Sequence, residues 1–156
     1  WLSDTDVMKF MDVSSYGSGI GDLTNWVEST LASEKDHLFS IHFEGEHIGN
    51  VKVGNVDREE STADIGLMIG SKAHWGLGVG RAAVEFATQY SFNELALKST
   101  FAGIQVPNLG SLAVFLKCGY RVSSVKHDHT QNIFGEKTDC FFVTKLNSSV
   151  ESVVEE

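Results

Sequence analysis

Two segments near the start of the chain carry apolar residues at helical spacing. The first runs from Asp4 to Met11. The second follows a glycine-rich loop at Tyr16–Gly21, and Asp22 or Thr24 is a residue type that caps a helix. Its apolar stripe consists of Leu23, Trp26, Val27 and Leu31. We therefore predict two helices before the first strand.

From Leu38 onward the hydrophobic period changes from that of a helix to that of a strand. Apolar and polar residues alternate over Leu38–Phe43, and two more strand-like segments follow at Ile48–Val53 and Ala63–Ile69. Polar turns at Glu44–Glu46 and Asn55–Thr62 separate the three segments. Closely spaced strands with short turns predict an antiparallel meander.

A helical stripe then follows the glycine-rich segment Gly76–Gly80, and it predicts a helix that packs on a sheet. The stripe consists of Val79, Ala83, Phe86, Ala87 and Tyr90. Leu97–Val106 reads as the next strand. Pro107 and Asn108 open a short helix, and Gly119 is placed to end it.

The hydrophobic pattern after Gly119 predicts two more strands, Tyr120–Val125 and Cys140–Leu146. A polar loop at Lys126–Thr138 is predicted to join them. The whole order is helices, three strands, helix, strand, helix and two strands. Such an order predicts an α/β protein with a mixed sheet. The His127–His129 run has metal-ligand composition, but it lies in the predicted loop, and we predict no metal site.

A length of 156 residues allows one domain, which we place at residues 1–147, with an acidic tail at 148–156. The net charge of −9 disfavours nucleic acid as a partner, because phosphate contacts need clustered Lys and Arg. No apolar run is long enough to cross a membrane, so we expect a cytoplasmic protein without membrane contact. The chain opens on Trp1 rather than Met, which leaves open whether an N-terminal strand precedes it.

The sharpest chemical signal is the run Trp75-Gly76-Leu77-Gly78-Val79-Gly80-Arg81, between a predicted strand and a predicted helix. Alternating glycines leave backbone N–H groups unobstructed at a helix start, where the helix dipole is positive. A pyrophosphate group needs these donors, so the run predicts a phosphate-binding turn.

A dinucleotide-binding turn is the main alternative, since Gly78-x-Gly80-x-x-Ala83 fits its fingerprint. Ser71–Trp75 separate these glycines from the preceding strand, however, whereas the dinucleotide motif follows its strand at once. Lys98 stands where an acidic residue would hold the ribose, and the upstream strands are predicted to be antiparallel hairpins. These features disfavour a nicotinamide cofactor.

Two motifs of the chain resemble the GNAT family of N-acetyltransferases. Trp75-x-x-Gly78-x-Gly80 is similar to that family's acyl-CoA pyrophosphate loop, whose first position is commonly Arg or Gln. An aromatic residue there resembles the branch that acetylates ribosomal-protein N-termini and amino-sugars. The opening Trp1–Val7 is similar to the first helix of that branch.

A third motif lies in the predicted short helix. Asn108-x-x-Ser111, followed by Gly119-Tyr120-Arg121, resembles the second signature of the same family. The three motifs stand in the family's order, and the resemblance extends from Trp1 to about Leu146. It implies a GNAT fold, a mixed, mostly antiparallel sheet with a central splayed strand pair flanked by helices.

The resemblance also implies acetyl-CoA as co-substrate. In that family the strand before the loop offers unpaired backbone groups to the pantetheine amides, and the glycine loop holds the pyrophosphate through its backbone amides. The side chain of Asn108 would reach the pantetheine arm while it caps its helix. The residues so implied are Met68, Ile69, Trp75, Gly76, Gly78, Val79, Gly80, Arg81 and Asn108.

Aminolysis of a thioester requires a neutral amine and benefits from a proton donor to the departing thiolate. Many GNAT enzymes place a donor Tyr four residues before the Gly of the second signature, and Phe115 stands there in this chain. The resemblance then implies Ser111 as the acid. It implies Asp64 as the base, with a solvated strand carboxylate as the alternative.

We therefore expect an N-acetyltransferase that moves the acetyl group of acetyl-CoA to a primary amine by direct attack in a ternary complex. The acceptor stays open between a protein N-terminus, an amino-sugar and another small amine, and so does the formation of a homodimer. Phe115 favours a different class of protein, a non-catalytic acyl-CoA-binding or regulatory module.

Overall fold

The computed structural model describes residues 1–11 and 20–151. The helices are α1 (Thr5–Met8), α2 (Ile20–Ala32), α3 (Val79–Asn93), α4 (Leu109–Lys117) and α5 (Ser148–Glu151). The strands are β1 (His37–Phe43), β2 (Glu46–Asp57), β3 (Thr62–Ile69), β4 (Ser99–Gln105), β5 (Arg121–Gln131) and β6 (Lys137–Leu146). A short 3-10 helix at Lys72–His74 precedes α3.

The six strands form one sheet in the order β1-β2-β3-β4-β6-β5. All neighbouring pairs are antiparallel except β3 and β4, which run parallel. The first three strands form the predicted meander. The prediction of a mixed, mostly antiparallel sheet with flanking helices is confirmed.

The two central strands, β3 and β4, diverge after their first few residues. β3 and β4 pair only where Thr62–Asp64 meet Ser99–Phe101, although β3 continues to Ile69 and β4 to Gln105. The outer edges of both strands stay paired, β3 to β2 and β4 to β6. The gap between them is the predicted central splay.

The two faces of the sheet have different coverings. α3 and α4 cover one face and bury the main core against it, and we call this the α3 face. Its central buried residues include Ala63, Ile65, Val84, Ala87, Ala102 and Ile104. Because side chains alternate along a strand, Asp64, Gly66 and Met68 lie on the opposite face, which we call the α2 face. α2 contacts β1 on that side.

The predicted polar loop at Lys126–Thr138 is wrong for most of its length. β5 extends to Gln131, and β6 begins at Lys137. β5 is an edge strand with nearly every residue exposed, so neither of its faces needs apolar side chains. The polar pattern of this segment therefore predicted a loop where the structure has a strand.

A hydrogen-bonded carboxylate stabilises this polar hairpin. Asp139 accepts from the Asp128 backbone N–H at 3.0 Å and contacts Nδ1 of His127 at 2.9 Å. The backbone donor from Asp128, followed by the His127 ring, lowers the pKa of Asp139.

Predictions for the first two helices also need correction. α1 ends at Met8 rather than Met11, and Asp4 is its cap. α2 begins at Ile20, so Asp22 and Thr24 lie inside the helix instead of capping it. The predicted loop at Tyr16–Gly21 otherwise lies outside the described residues. α5 occupies the first part of the segment predicted to be a tail.

One buried hydroxyl joins the core elements that support the splay. Tyr120 is 2% exposed, and its hydroxyl lies 2.7 Å from the hydroxyls of both Thr88 in α3 and Thr100 in β4. Burial raises the pKa of Tyr120, so the phenol stays neutral and can donate one of these bonds. The ring packs edge-on against Phe115 at 5.0 Å between centroids.

We expect Tyr120→Phe to lower the free energy of unfolding by about 1–3 kcal/mol, because two buried hydroxyls lose a shared partner. Urea denaturation measures the loss. Tyr90→Phe is the matched control, since Tyr90 is half-buried and its hydroxyl makes one longer contact, 3.2 Å to His37 Nδ1. Equal losses for the two variants would show that the Tyr120 network adds nothing specific.

Candidate active site

The connection from β3 to α3 is built around residues in left-handed backbone conformations. After the 3-10 helix the chain passes through Gly76 with φ 78° and Gly78 with φ 83°. Gly78 is the cap of α3 and makes no side-chain capping bond. A side chain at either position would strain the backbone, which explains the glycines. The intervening 3-10 helix and the antiparallel β2–β3 pair differ from a dinucleotide-binding turn.

The start of α3 presents unpaired backbone donors. Ala82 is the first residue of the helix to bond backward, from its N–H to the Gly78 carbonyl at 3.1 Å. The amides of Val79, Gly80 and Arg81 precede it, and among the described residues they bond to no backbone carbonyl. These groups lie at the positive end of the helix dipole, where a phosphate group binds favourably.

Gly80 lies where three elements meet. A Cβ added there would lie 3.4 Å from Leu67 of β3 and 3.8 Å from Val114 of α4, which are ordinary contact distances. The start of α3 therefore lies against both elements. The amides of α3 are thereby held beside the splayed end of β3.

Trp75 occupies the position at which the family commonly has Arg or Gln. Its indole Nε1–H donates to the Ile69 carbonyl at 2.8 Å, while the side chain remains 44% exposed. The indole therefore ties the glycine loop to the last residue of β3. The amino-acid pattern carries no signal for this contact, because it joins residues through the loop's folded shape.

The Arg81 side chain extends along α3. Its Nε contacts Oε1 of Glu85 at 2.7 Å, one helical turn further on, and Glu85 raises the pKa of Arg81. Of the two Arg81 groups, the backbone amide is therefore the one aligned with the other donors of the loop.

The ladder between β2 and β3 decides which backbone groups face the splay. The Gly70 N–H donates to Ile48 of β2 at 2.9 Å, so by alternation the backbone groups of Met68 also point toward β2. A Cβ added at Gly49 of β2 would collide with the Met68 carbonyl oxygen. The backbone groups of Leu67 and Ile69 face the splay instead. By this alternation Leu67 and Ile69, rather than Met68, have backbone groups on the side of the gap, and the contact with pantetheine stays a prediction.

On the other side of the splay, three residues separate the end of β4 from the start of α4. Asn108 caps it, with Oδ1 accepting from the Ser111 N–H at 3.1 Å. The Ser111 hydroxyl forms no hydrogen bond with any described residue. Phe115 lies one turn further into the helix and is 2% exposed in the core, away from solvent.

Asp64 lies at the closed end of the splay, on the α2 face. Its Oδ1 accepts from Asn55 Nδ2 at 2.8 Å. The side chains of Asp64 and Lys52 both lie directly over Gly54. A Cβ added at Gly54 would come within 2.9 Å of each of them. Lys52 Nζ itself contacts Oδ1 of Asp36 at 3.3 Å.

A cavity of about 600 Å³ adjoins the same stretch of β3 on the α2 face. Its floor consists of two cross-strand rows on β1, β2 and β3. The first row is Leu38, Lys52 and Gly66, and the second is Ser40, Asn50 and Met68. Residues of the N-terminal segment and of α2 line the rest.

A family model of the acetyltransferase (GNAT) domain matches residues 1–121 of this chain. The chain therefore belongs to the GNAT acetyltransferase domain family. This result confirms the family predicted from the glycine loop and the second signature.

Among individual proteins, the chain is 32% identical over 101 residues to the probable N-acetyltransferase YjcK of Bacillus subtilis (strain 168). The aligned part covers 63% of this chain and 55% of that relative, so it spans about half of the relative's length.

Solved structures share the fold at low identity. The spermidine N-acetyltransferase from Vibrio cholerae in complex with CoA and spermine superposes with a TM-score of 0.82 and 17% identity, covering 94% of this chain and 86% of that one. A probable acetyltransferase superposes with a TM-score of 0.74 and 24% identity, covering 81% of this chain and 70% of that one.

Among the described residues, no helix is long and apolar enough to span a membrane.

The glycine loop leads to a prediction about ligand binding. Acetyl-CoA should raise the melting temperature of the protein by mass action, and NADH should not. Gly78→Val should abolish the acetyl-CoA shift, because its side chain forces the left-handed turn to rearrange and obstructs the phosphate path. Differential scanning fluorimetry measures both effects.

Gly45→Val is the matched control for this variant. Gly45 has a similar φ of 87° in the β1–β2 turn, outside the glycine loop, with open space around it. It should lose stability as Gly78→Val does and keep the full acetyl-CoA shift. A normal shift in Gly78→Val would place the phosphate site elsewhere.

The indole contact leads to a second prediction. Trp75→Phe keeps an aromatic ring but removes the donor to Ile69, so the loop should lose order before it binds ligand. A single hydrogen bond of about 1 kcal/mol corresponds to roughly a fivefold weaker Kd for acetyl-CoA. Isothermal titration calorimetry measures it, with Trp26→Phe in α2 as the control. Unchanged affinity would assign the indole a purely structural contact.

Proposed function

We propose that this protein is an N-acetyltransferase that transfers the acetyl group of acetyl-CoA to a primary amine by direct attack in a ternary complex. The gap between β3 and β4 carries this proposal. It offers the backbone groups of Leu67 and the N–H of Ile69 to the pantetheine amides, in the manner of strand addition to a sheet edge, while the Ile69 carbonyl accepts from Trp75. The free amides at the start of α3 stand at its open end for the pyrophosphate.

The reaction requires three proton movements. The acceptor ammonium first loses a proton to Asp64, directly or through a water molecule. The free amine then attacks the thioester carbonyl and forms the C–N bond, and the nitrogen gives up a second proton as the C–S bond breaks. We assign to Ser111 the proton that the departing thiolate takes up, and the second nitrogen proton restores the Ser111 hydroxyl.

The position of Asp64 supports its role as the base. It lies on the α2 face, two residues before Gly66, which places it about 7 Å along β3 from the cavity floor. Asn55 holds one carboxylate oxygen through a hydrogen bond and so fixes the orientation of the group. An amine that enters from the cavity side would meet this carboxylate at the closed end of the splay.

The position of Ser111 supports its role as the acid. The residue lies in the first turn of α4, at the border of the splay opposite α3, and its amide is fixed by Asn108. The Ser111 hydroxyl forms no hydrogen bond with a described residue, so it is available to donate to the thiolate. Phe115 lies buried against Tyr120, so the position used by many relatives is closed to this chemistry.

Several classes of acceptor carry the primary amine that this reaction needs. The Vibrio cholerae neighbour is a spermidine N-acetyltransferase by name. A protein N-terminus and an amino-sugar fit the same reaction. A homodimer, a cytoplasmic location and the absence of a nucleic-acid partner stay predictions.

The buried Phe115 favours a second candidate, a non-catalytic acyl-CoA-binding or regulatory module. Such a protein would bind acetyl-CoA tightly and release no CoA. A thiol-release assay against a panel of primary amines separates the two. Amine-dependent release identifies an enzyme, and binding without release identifies a module.

We expect Asp64→Asn to lower kcat by about 10²–10⁴-fold with acetyl-CoA affinity nearly unchanged. A base works when deprotonated, so the fall of activity toward acidic pH should flatten in this variant. Ser111→Ala should instead lower kcat/KM at all pH values and leave the shape of the acidic limb unchanged, because it removes a proton donor and leaves the base in place. The pH dependence of kcat/KM measures both. Glu59→Gln, which removes an exposed carboxylate from the turn after β2, is the control. Small effects from both site variants would assign catalysis to positioning alone.

A further inference from the structure

The cavity on the α2 face specifies the acceptor more narrowly than the chemistry of the splay does. We propose that the acceptor is a primary amine carried on an uncharged apolar body, an alkyl or aromatic group that fills this cavity. The inference rests on the proposed acetyl transfer, because it assigns the second substrate of the same site.

Most of the cavity surface is apolar. Side chains from the N-terminal segment, α2, β1 and β3 form it, and they include Trp1, Leu23, Trp26, Val27, Leu38 and Met68. The volume of about 600 Å³ lies in the usual range for small-molecule pockets, and an apolar cavity of about 150 Å³ already holds a benzene ring. An alkyl or aromatic group would therefore find both room and matching surface.

The floor of the cavity leads to the reacting end of β3. Gly66 and Met68 belong to the floor, and their neighbour Leu67 directs its backbone groups into the splay. Gly66 has no side chain, and a Cβ placed there would touch only Lys52, at 3.9 Å. The backbone of β3 is thus open at this point. An amine attached to a body in the cavity would reach the strand beside Asp64.

The charge in the cavity disfavours a polyamine. Lys52 lines it and is only partly exposed, with its ammonium held at 3.3 Å from Asp36. The additional ammonium groups of a polyamine would be placed among apolar side chains, where burial of an unpaired charge is costly. They would also face the like charge of Lys52. An uncharged body avoids both costs and gains from leaving water.

A comparison of acceptors tests this proposal. The thiol-release assay is run with hexylamine, 2-phenylethylamine, spermidine and glucosamine at one pH and saturating acetyl-CoA. We expect kcat/KM for hexylamine and 2-phenylethylamine to exceed that for spermidine and glucosamine at least tenfold. A higher value for spermidine would overturn the inference and leave the proposed acetyl transfer intact.

A variant with a charge on the cavity wall provides a second test of the proposal. Leu23→Glu should lower kcat/KM for hexylamine at least tenfold and raise that for spermidine, since it adds a carboxylate to the cavity. Asn25→Glu adds the same charge on the exposed side of α2 and should change neither value. The melting-temperature shift with acetyl-CoA checks that both variants fold and bind.

The outcomes separate the two levels of the proposal. Equal effects of Leu23→Glu and Asn25→Glu would show that the acceptor body does not occupy the cavity, which overturns the inference alone. Acetyl-CoA binding with no thiol release from any amine would overturn acetyl transfer itself and the inference with it. A selective loss of hexylamine turnover in Leu23→Glu would support the assignment.

Discussion

The candidate active site depends on one constraint, the absence of hydrogen bonds between β3 and β4 beyond their first residues. The two strands pair over three residues and then diverge, which leaves backbone donors and acceptors open inside the sheet. Unpaired edges are costly when buried, so the gap persists only because each strand is held on its other edge. β2 pairs with β3 up to Ile69, and β6 pairs with β4 along its whole length. The core under the splay, with Tyr120 between α3 and β4, fixes the distance between the two halves.

The starts of two helices border this gap in the candidate site. α3 lies against Leu67 at Gly80, and the Trp75 indole ties the intervening loop to Ile69. α4 begins just beyond β4 with Asn108 as its cap. Both helices therefore begin beside the ends of the diverging strands, and an anionic group is stabilised at the start of a helix. The α2 face carries Asp64 and the apolar cavity, so the two substrates would approach the gap from different sides.

Local sequence signals predicted much of this arrangement. The change from a helical period to alternation at Leu38 marked the meander, and the stripe after Val79 marked the helix that forms the core. The alternating glycines marked the turn before α3, because only glycine adopts its left-handed φ without strain. The same signals failed at Lys126–Thr138, where an edge strand needs no apolar face, and at Asp22 and Thr24, which lie inside α2.

The sequence by itself determined most of the element types, the glycine turn before α3 and the family, since each depends on motifs of residues close together in the chain. Only the tertiary structure decided which backbone groups face the gap, because ladder parity between β2 and β3 turns Met68 away and Leu67 toward it. It also decided the contact of Trp75 with Ile69, the place of Asp64 beside Asn55 and the cavity between α2 and three strands. These features join elements that are distant in sequence, and their geometry is set by packing and pairing rather than by local propensity.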